Sequence, residues 1–214
     1  MPATPKHILI FSTDDFIPPA GGAELAIDEI TKRLPEIDFD IICARQSPSR
    51  PISEKIGNVT IYRIGPGSEF LDKVLLAILG SRKAFQLHQQ HPYDLVWAVM
   101  ASYGALAAVD FKKKTGVPYL LTLQEGYSIR EIIRKSWFVW TKFKQAFAQA
   151  DGLQTISYFL YNWGFQMGFK GRLAKVVPNG VDVDWFGKKI PEKEIEAIRD
   201  SFAFGQDKKI LITV

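Results

Sequence analysis

Few residues in this 214-residue chain could cross-link it, carry it through a bilayer or hold a metal, and each shortage removes a class of function. The only cysteine, Cys43, lies inside the apolar run Phe39-Asp40-Ile41-Ile42-Cys43-Ala44, so no internal disulfide can form and a reducing compartment is expected. Histidine is scarce too: His88 and His91 sit just before Pro92, where a helix end is a better reading than a metal site, and His7 stands apart. Neither a Ser-His-Asp nor a Cys-His arrangement can be assembled. The longest apolar run, Val74 to Leu79, is far below bilayer-spanning length, and Met1-Pro2-Ala3-Thr4-Pro5-Lys6 lacks the apolar core of a signal peptide. A net charge of +4 does not imply nucleic acid. The spacings G-x-G-x-x-G and G-x-x-x-x-G-K-[ST] are both missing, which disfavours dinucleotide oxidoreductases and P-loop NTPases.

What remains is a chain with 47% hydrophobic and 23% charged residues, ample for a globular core. Strand-like runs occur at His7 to Ser12, Asp38 to Ala44, Val59 to Ile64, Asp94 to Val99, Tyr119 to Leu123, Gly152 to Ser157 and Leu173 to Val177. Helical spacing fills the gaps: Ala23, Ala26, Ile27, Ile30 and Leu34; then Phe70 to Phe85, Tyr103 to Lys114, Ile129 to Gln149 and Tyr158 to Met167. Gly116 is placed to cap the third of these helices, and the proline-rich Ser47-Pro48-Ser49-Arg50-Pro51 is a loop. Alternation of this kind predicts an α/β fold: a Rossmann-like, doubly wound, mainly parallel sheet of about seven strands with helices on both faces.

In such sheets ligands bind where the carboxyl ends of strands meet helix N-termini. Gly21 and Gly22 follow the first strand, and with no side chains they admit a sugar or phosphate oxygen to the backbone. Gln124 and Glu125 follow the strand ending Thr122-Leu123; Glu125 could act as acid or base, or cap the next helix. Ser102-Tyr103 and Ser157-Tyr158 either complete a polar rim or cap helices. Val176-Val177-Pro178-Asn179-Gly180-Val181-Asp182 is a sharp turn, since proline fixes φ and Asn-Gly accepts left-handed backbone.

The segment from Ile129 to Lys144 carries five basic residues and one acidic one. Ile129, Ile132, Ile133, Trp137 and Trp140 share a stripe, with Arg134, Lys135, Lys142 and Lys144 mostly off it and Arg130 nearby. Two readings stand: a helix packing its aromatic stripe on the sheet, or one lying on anionic lipid.

Ala150-Asp151-Gly152-Leu153-Gln154-Thr155-Ile156-Ser157, followed after a helix by Val177-Pro178-Asn179-Gly180-Val181-Asp182 and Phe186, resembles the N-terminal half of glycosyltransferase family 4, the retaining GT-B enzymes. Gly21-Gly22-Ala23-Glu24, Arg63-Ile64 and Thr122-Leu123-Gln124-Glu125 are also similar to the family pattern, with Gln124 standing where the family usually has histidine. The resemblance implies an acceptor-binding domain over residues 1–186, then a linker and first strand of a donor-binding domain over 187–214. It implies transfer of a sugar from a nucleotide-diphosphate-sugar to a glycan or lipid-linked hydroxyl, with no metal or other cofactor, no nucleic-acid partner, and little turnover from this half alone. Strand-end placement and the resemblance together give Gln124 and Glu125 as candidate catalytic residues and Gly21, Gly22, Glu24, Ser102, Tyr103, Ser157, Asn179 and Gly180 as candidate substrate contacts. A cytoplasmic location, possible contact with the inner membrane face, and a pivot at Asn179-Gly180 complete the expectation. The other reading is a non-catalytic α/β module that binds glycans or a membrane surface.

Overall fold

Apolar runs without a polar face can be buried only inside a sheet covered on both sides, and that is where they lie. The computed structural model describes residues 7–15, 21–125, 140–202, 209 and 211. Its strands are β1 (His7–Phe11), β2 (Asp38–Ala44), β3 (Ser53–Ile56), β4 (Val59–Ile64), β5 (Leu95–Val99), β6 (Tyr119–Leu123), β7 (Gly152–Thr155) and β8 (Leu173–Val176). The described helices are α1 (Gly22–Lys32), α2 (Glu69–Gln90), α3 (Tyr103–Thr115), α4 (Trp140–Ala148), α5 (Tyr158–Gln166), α6 (Val183–Phe186) and α7 (Glu192–Ser201).

All eight strands join one sheet in the order β3-β4-β2-β1-β5-β6-β7-β8. Every neighbouring pair is parallel except β3 with β4. The order reverses between β1 and β5, which makes the gap beyond their carboxyl ends the place where an open α/β sheet receives ligands. The sheet is the expected one of about seven strands with a single edge addition: β3, short and mostly exposed, pairs antiparallel inside what reads as a connection. Its residues, Ser-Glu-Lys-Ile, suit an edge, where charge discourages further pairing.

Alternation along each strand sorts side chains between two cores. Ile8, Ile10, Ile41, Cys43, Ile61, Trp97 and Val99 pack on one face with Ala23 and Ile27 of α1. Leu9, Phe11, Ile42, Val96, Ala98, Leu121 and Leu123 face the other way, against Leu76 and Ala84 of α2, Ala105 and Phe111 of α3, Phe147 of α4 and Trp163 of α5. Gly116 ends α3 at φ 75°, donating its N–H to Lys112 O at 2.8 Å, as the sequence predicts for a left-handed cap.

The chain divides into two compact units, Met1–Asn179 and Gly180–Val214. In the second, Asp182 caps α6 by accepting the Trp185 N–H at 2.8 Å, and neither α6 nor α7 buries a residue. The strand expected at Ile210 to Val214 falls almost wholly outside the described residues.

Candidate functional site

The reversal point is spanned by a hydroxyl pair. Thr13, just past β1, and Ser102, just past β5, bring Oγ1 and Oγ to 2.6 Å, and the Gly104 N–H donates to Thr13 Oγ1 at 3.2 Å. A Cβ on Gly104 would stand 3.3 Å from the backbone carbons of Phe11 and Ser12, so glycine lets α3 start this close to β1. Ser102 occupies the N-cap position of α3, yet its side chain makes no capping bond. It serves the crossing between strand ends instead. The turn before it is strained: Met100 has φ 64° and donates its N–H to Thr122 O at 2.9 Å.

Beneath the rim a polar string crosses four strands. The Trp97 Nε1–H donates to Thr122 Oγ1 at 2.8 Å, Thr122 donates to Gln154 Oε1 at 2.8 Å, and Gln154 Nε2 donates to Val177 O at 3.3 Å. That string aligns the ends of β6, β7 and β8. On top of it Asn179 Nδ2 donates to Gln124 Oε1 at 3.4 Å, so two residues 55 positions apart that the sequence singled out meet at the exposed edge. Glu125, next to them, turns inward: Oε1 accepts the Ala101 N–H at 2.6 Å, and Oε2 is enclosed without a hydrogen-bond partner among the described residues. Enclosure pushes this carboxyl up to about 7, against the opposing pull of the N–H groups of Ala101, Glu125 and Gln124.

The other side of the rim rests on charges that sequence reading did not join. Arg63 of β4, 2% exposed, donates from Nε to Asp15 Oδ2 at 2.9 Å, pairs through Nη2 with Glu54 of β3, and reaches Pro51 O at 3.2 Å. Gln46, at φ 58° beyond β2, binds Asp14 Oδ1 at 2.7 Å through Nε2 and accepts the Asp15 N–H at 3.0 Å through Oε1. Lys73 of α2 adds an ion pair to Asp14 at 3.0 Å. Asp72, wholly buried, accepts the N–H groups of Gln46 at 3.0 Å and Gly67 at 2.8 Å. Together these fix residues 13–15, from which the glycine loop departs. The Arg63-Ile64 strand end was the one sequence signal for this cluster; Gln46 and Asp72 gave none, because the bonds that tie Gln46 to Asp72, Asp14 and Asp15 span 26 to 32 residues.

The remaining candidates divide. Gly22 has open space where a Cβ would sit, while Gly21 would bring one to 3.0 Å from Glu24 Oε2. Glu24 itself is 4% exposed and tucked into the first turn of α1. Tyr103 is partly exposed at the start of α3, and Ser157 caps α5 by accepting the Leu160 N–H at 3.3 Å. Gly180 belongs to the second unit. Arg130, Arg134, Lys135 and Trp137 lie outside the described residues. In the described end of that segment Trp140 stacks on Phe143 with ring centroids 5.7 Å apart and packs against the core, with Lys144 over its ring and Lys142 exposed. There the aromatic stripe faces the protein.

A hollow of about 370 Å³ opens elsewhere, at the amino ends of β7 and β8, among Lys112, Asp151, Lys170 and Arg172. Asp151 is already engaged there by Lys112 and by the Tyr119 N–H at 2.7 Å. It shares no residue with the rim.

A model of Glycosyltransferase Family 4 matches residues 20–185. Among solved structures, sucrose-phosphate synthase from Thermosynechococcus elongatus superposes with a TM-score of 0.73 at 14% identity, covering 94% of this chain and 53% of that one. The α,α-trehalose 6-phosphate synthase of Burkholderia multivorans gives 0.58 at 13% identity over 94% and 56%. A trehalose-6-phosphate protein from E. coli, bound with UDP-2-fluoro glucose, gives 0.58 at 12% identity over 92% and 54%. The chain therefore spans about half the length of these GT-B proteins. No curated protein sequence matches it.

Proposed function

Because the chain belongs to glycosyltransferase family 4, we propose that it forms the acceptor-binding half of a retaining enzyme. The enzyme moves a hexosyl group from a nucleotide-diphosphate-sugar to a hydroxyl of a glycan or lipid-linked acceptor. The observation that carries this reading is the amide pair Gln124 and Asn179, held at the exposed edge above the polar string, on the same carboxyl edge of the sheet as the hydroxyl pair Thr13 and Ser102. An amide offers a donor and an acceptor to a sugar hydroxyl but has no proton to exchange near neutral pH. Gln124 therefore binds and orients, and does not act as an acid or base. In the transfer, the bond from the anomeric carbon to the diphosphate oxygen breaks and the bond to the acceptor oxygen forms, while the acceptor proton passes to the departing phosphate. Helix N-termini and basic groups, rather than a metal, carry the charge that leaves.

UDP-2-fluoro glucose, bound by the E. coli neighbour, is a nucleotide-diphosphate-sugar analogue, the chemical class of the donor proposed here. In the same reading the protein works in the cytoplasm, and any contact with an anionic membrane face is made by the basic side chains of residues 129–144 that lie off the aromatic stripe, not by the stripe itself, whose described end packs on the core. No helix among the described residues is long and apolar enough to cross a membrane. The test uses the full-length polypeptide carrying this sequence, supplied with UDP-glucose, GDP-mannose or ADP-glucose and simple glycosides. Proton NMR of the first-formed product should show the donor's anomeric configuration, and Gln124→Ala should lower kcat/KM about tenfold, the loss expected for one hydrogen bond to the reacting sugar. An inverted product would remove the retaining mechanism.

A further inference from the structure

Glu125 sits among the residues of the rim without presenting itself to it. Oε1 is taken by the Ala101 N–H at 2.6 Å, and Oε2 is enclosed with no hydrogen-bond partner among the described residues. An oxygen without accessible surface does not reach a substrate hydroxyl, and its mate is engaged in holding backbone. The backbone it holds is the turn after β5, where Met100 takes φ 64°, Ser102 donates its N–H to Met100 O at 3.0 Å, and the Ser102 hydroxyl meets Thr13 at 2.6 Å. Ala101 is the middle of that turn. Its N–H faces the end of β6, and a left-handed residue just before it would relax if the N–H were released.

We propose that Glu125 is a positioning residue and not the catalytic acid or base: it clamps the turn at residues 100–103 to the end of β6 and so fixes how far Ser102 and Tyr103 stand from Gln124. The clamp needs an acceptor of glutamate length and not a negative charge. Glutamine keeps an oxygen at the same reach, whereas alanine removes it. The inference rests on the glycosyl-transfer reading only for what the rim binds; the clamp stands on geometry.

Amide hydrogen exchange on the full chain tests the clamp without any substrate. Measured at pH 4, where the glutamate and glutamine side chains are both uncharged, Glu125→Ala should make the Ala101 and Ser102 amides exchange at least tenfold faster while those of β1 and β2 keep their rates, and in Glu125→Gln all of these amides should stay within twofold of the parent. Unchanged exchange at Ala101 in Glu125→Ala would overturn the proposal. So would loosening in Glu125→Gln equal to that in Glu125→Ala, or acceleration spread evenly over the sheet in both. In the full-length enzyme the same variants give a second readout: Glu125→Ala should raise KM for the acceptor more than it lowers kcat, and Glu125→Gln should retain both. A large fall of kcat in Glu125→Gln would restore the acid or base role. Should no donor support transfer at all, the functional reading fails while the exchange data still decide the clamp.

Discussion

At the amino ends of the strands, polar groups close on one another. Tyr93 donates its hydroxyl to Asp40 Oδ2 at 2.6 Å, His7 Nε2 stands 3.3 Å from the same oxygen, and the Asp94 carboxylate accepts the His7 N–H at 3.1 Å. The rings of His7 and Tyr93 lie 4.5 Å apart, and His88 accepts the Tyr93 N–H at 3.0 Å. At the carboxyl ends of the same strands the accounts are left open. Ser12 Oγ, Asp15 Oδ1, Asp72 Oδ1 and Glu125 Oε2 are buried without hydrogen-bond partners among the described residues, and Gln46 and Met100 hold φ of 58° and 64°. Both ends are polar and both are packed. They differ in degree: Tyr119, the first residue of β6, also buries a hydroxyl without a partner among the described residues, but at the carboxyl ends several such groups gather beside two non-glycine residues at positive φ, the pattern expected where a ligand or a moving partner completes the structure.

The contrast can be broken most severely at Gly65, at φ 109°, where a Cβ would fall 2.2 Å from Asp72 Oδ1. Gly65→Ala should destabilise by about 2–4 kcal/mol through backbone strain and overpacking together, and thermal unfolding would show it. Next comes Arg63. Arg63→Met removes the cation that Asp15 and Glu54 share, leaving Asp15 with Arg50 at 3.4 Å and Glu54 partly solvated, and should cost about 2–3 kcal/mol, read as a lowered midpoint in urea unfolding. A loss below about 1 kcal/mol would mean that the rim does not depend on this pair.

pH acts on the two ends with the same sign through different causes. The Glu125 carboxyl, raised to about 7 by enclosure, binds its proton more tightly folded than unfolded, so stability falls as pH climbs from the ordinary carboxylate range through 7. His7 is raised above 6.5 chiefly by its hydrogen bond to Asp40, so its contribution is complete below that value and disappears as pH passes the raised one. Glu125→Gln should therefore gain about 1–3 kcal/mol over the parent at pH 8 and little at pH 4, where both side chains are uncharged. A constant offset across that range would contradict the raised carboxyl. The smallest effect belongs to the closed end: Tyr93→Phe removes one hydrogen bond from Asp40, which keeps His7, and should cost about 1 kcal/mol in stability with no change in sugar transfer.

Most of the architecture could be read from apolar runs and glycine punctuation, because parallel strands advertise themselves by burial on both faces. Seven of the eight strands were visible this way, along with the glycine cap of α3. β3 was not, since an edge strand of four mostly polar residues has no such run. The site was legible to the extent that its residues follow strands: Gln124 and Asn179 were singled out separately and the fold brings them together. What stayed hidden was pairing over distance. Arg63 to Asp15 spans 48 residues and Glu125 to Ala101 spans 24, and no local spacing encodes either. Sheet order was equally hidden, so the reversal between β1 and β5 that makes Thr13 and Ser102 neighbours could not be anticipated.

The most direct test of the account is amide chemical-shift mapping on the isotope-labelled chain, titrated with a panel of nucleotide-sugars and simple glycosides. Perturbations should gather at Thr13, Gly22, Ala101 to Tyr103, Gln124 and Asn179. Shifts confined to His7, Asp40 and Tyr93, or to the hollow at Lys112 and Asp151, would contradict the assignment of the carboxyl-end rim as the working end of the molecule.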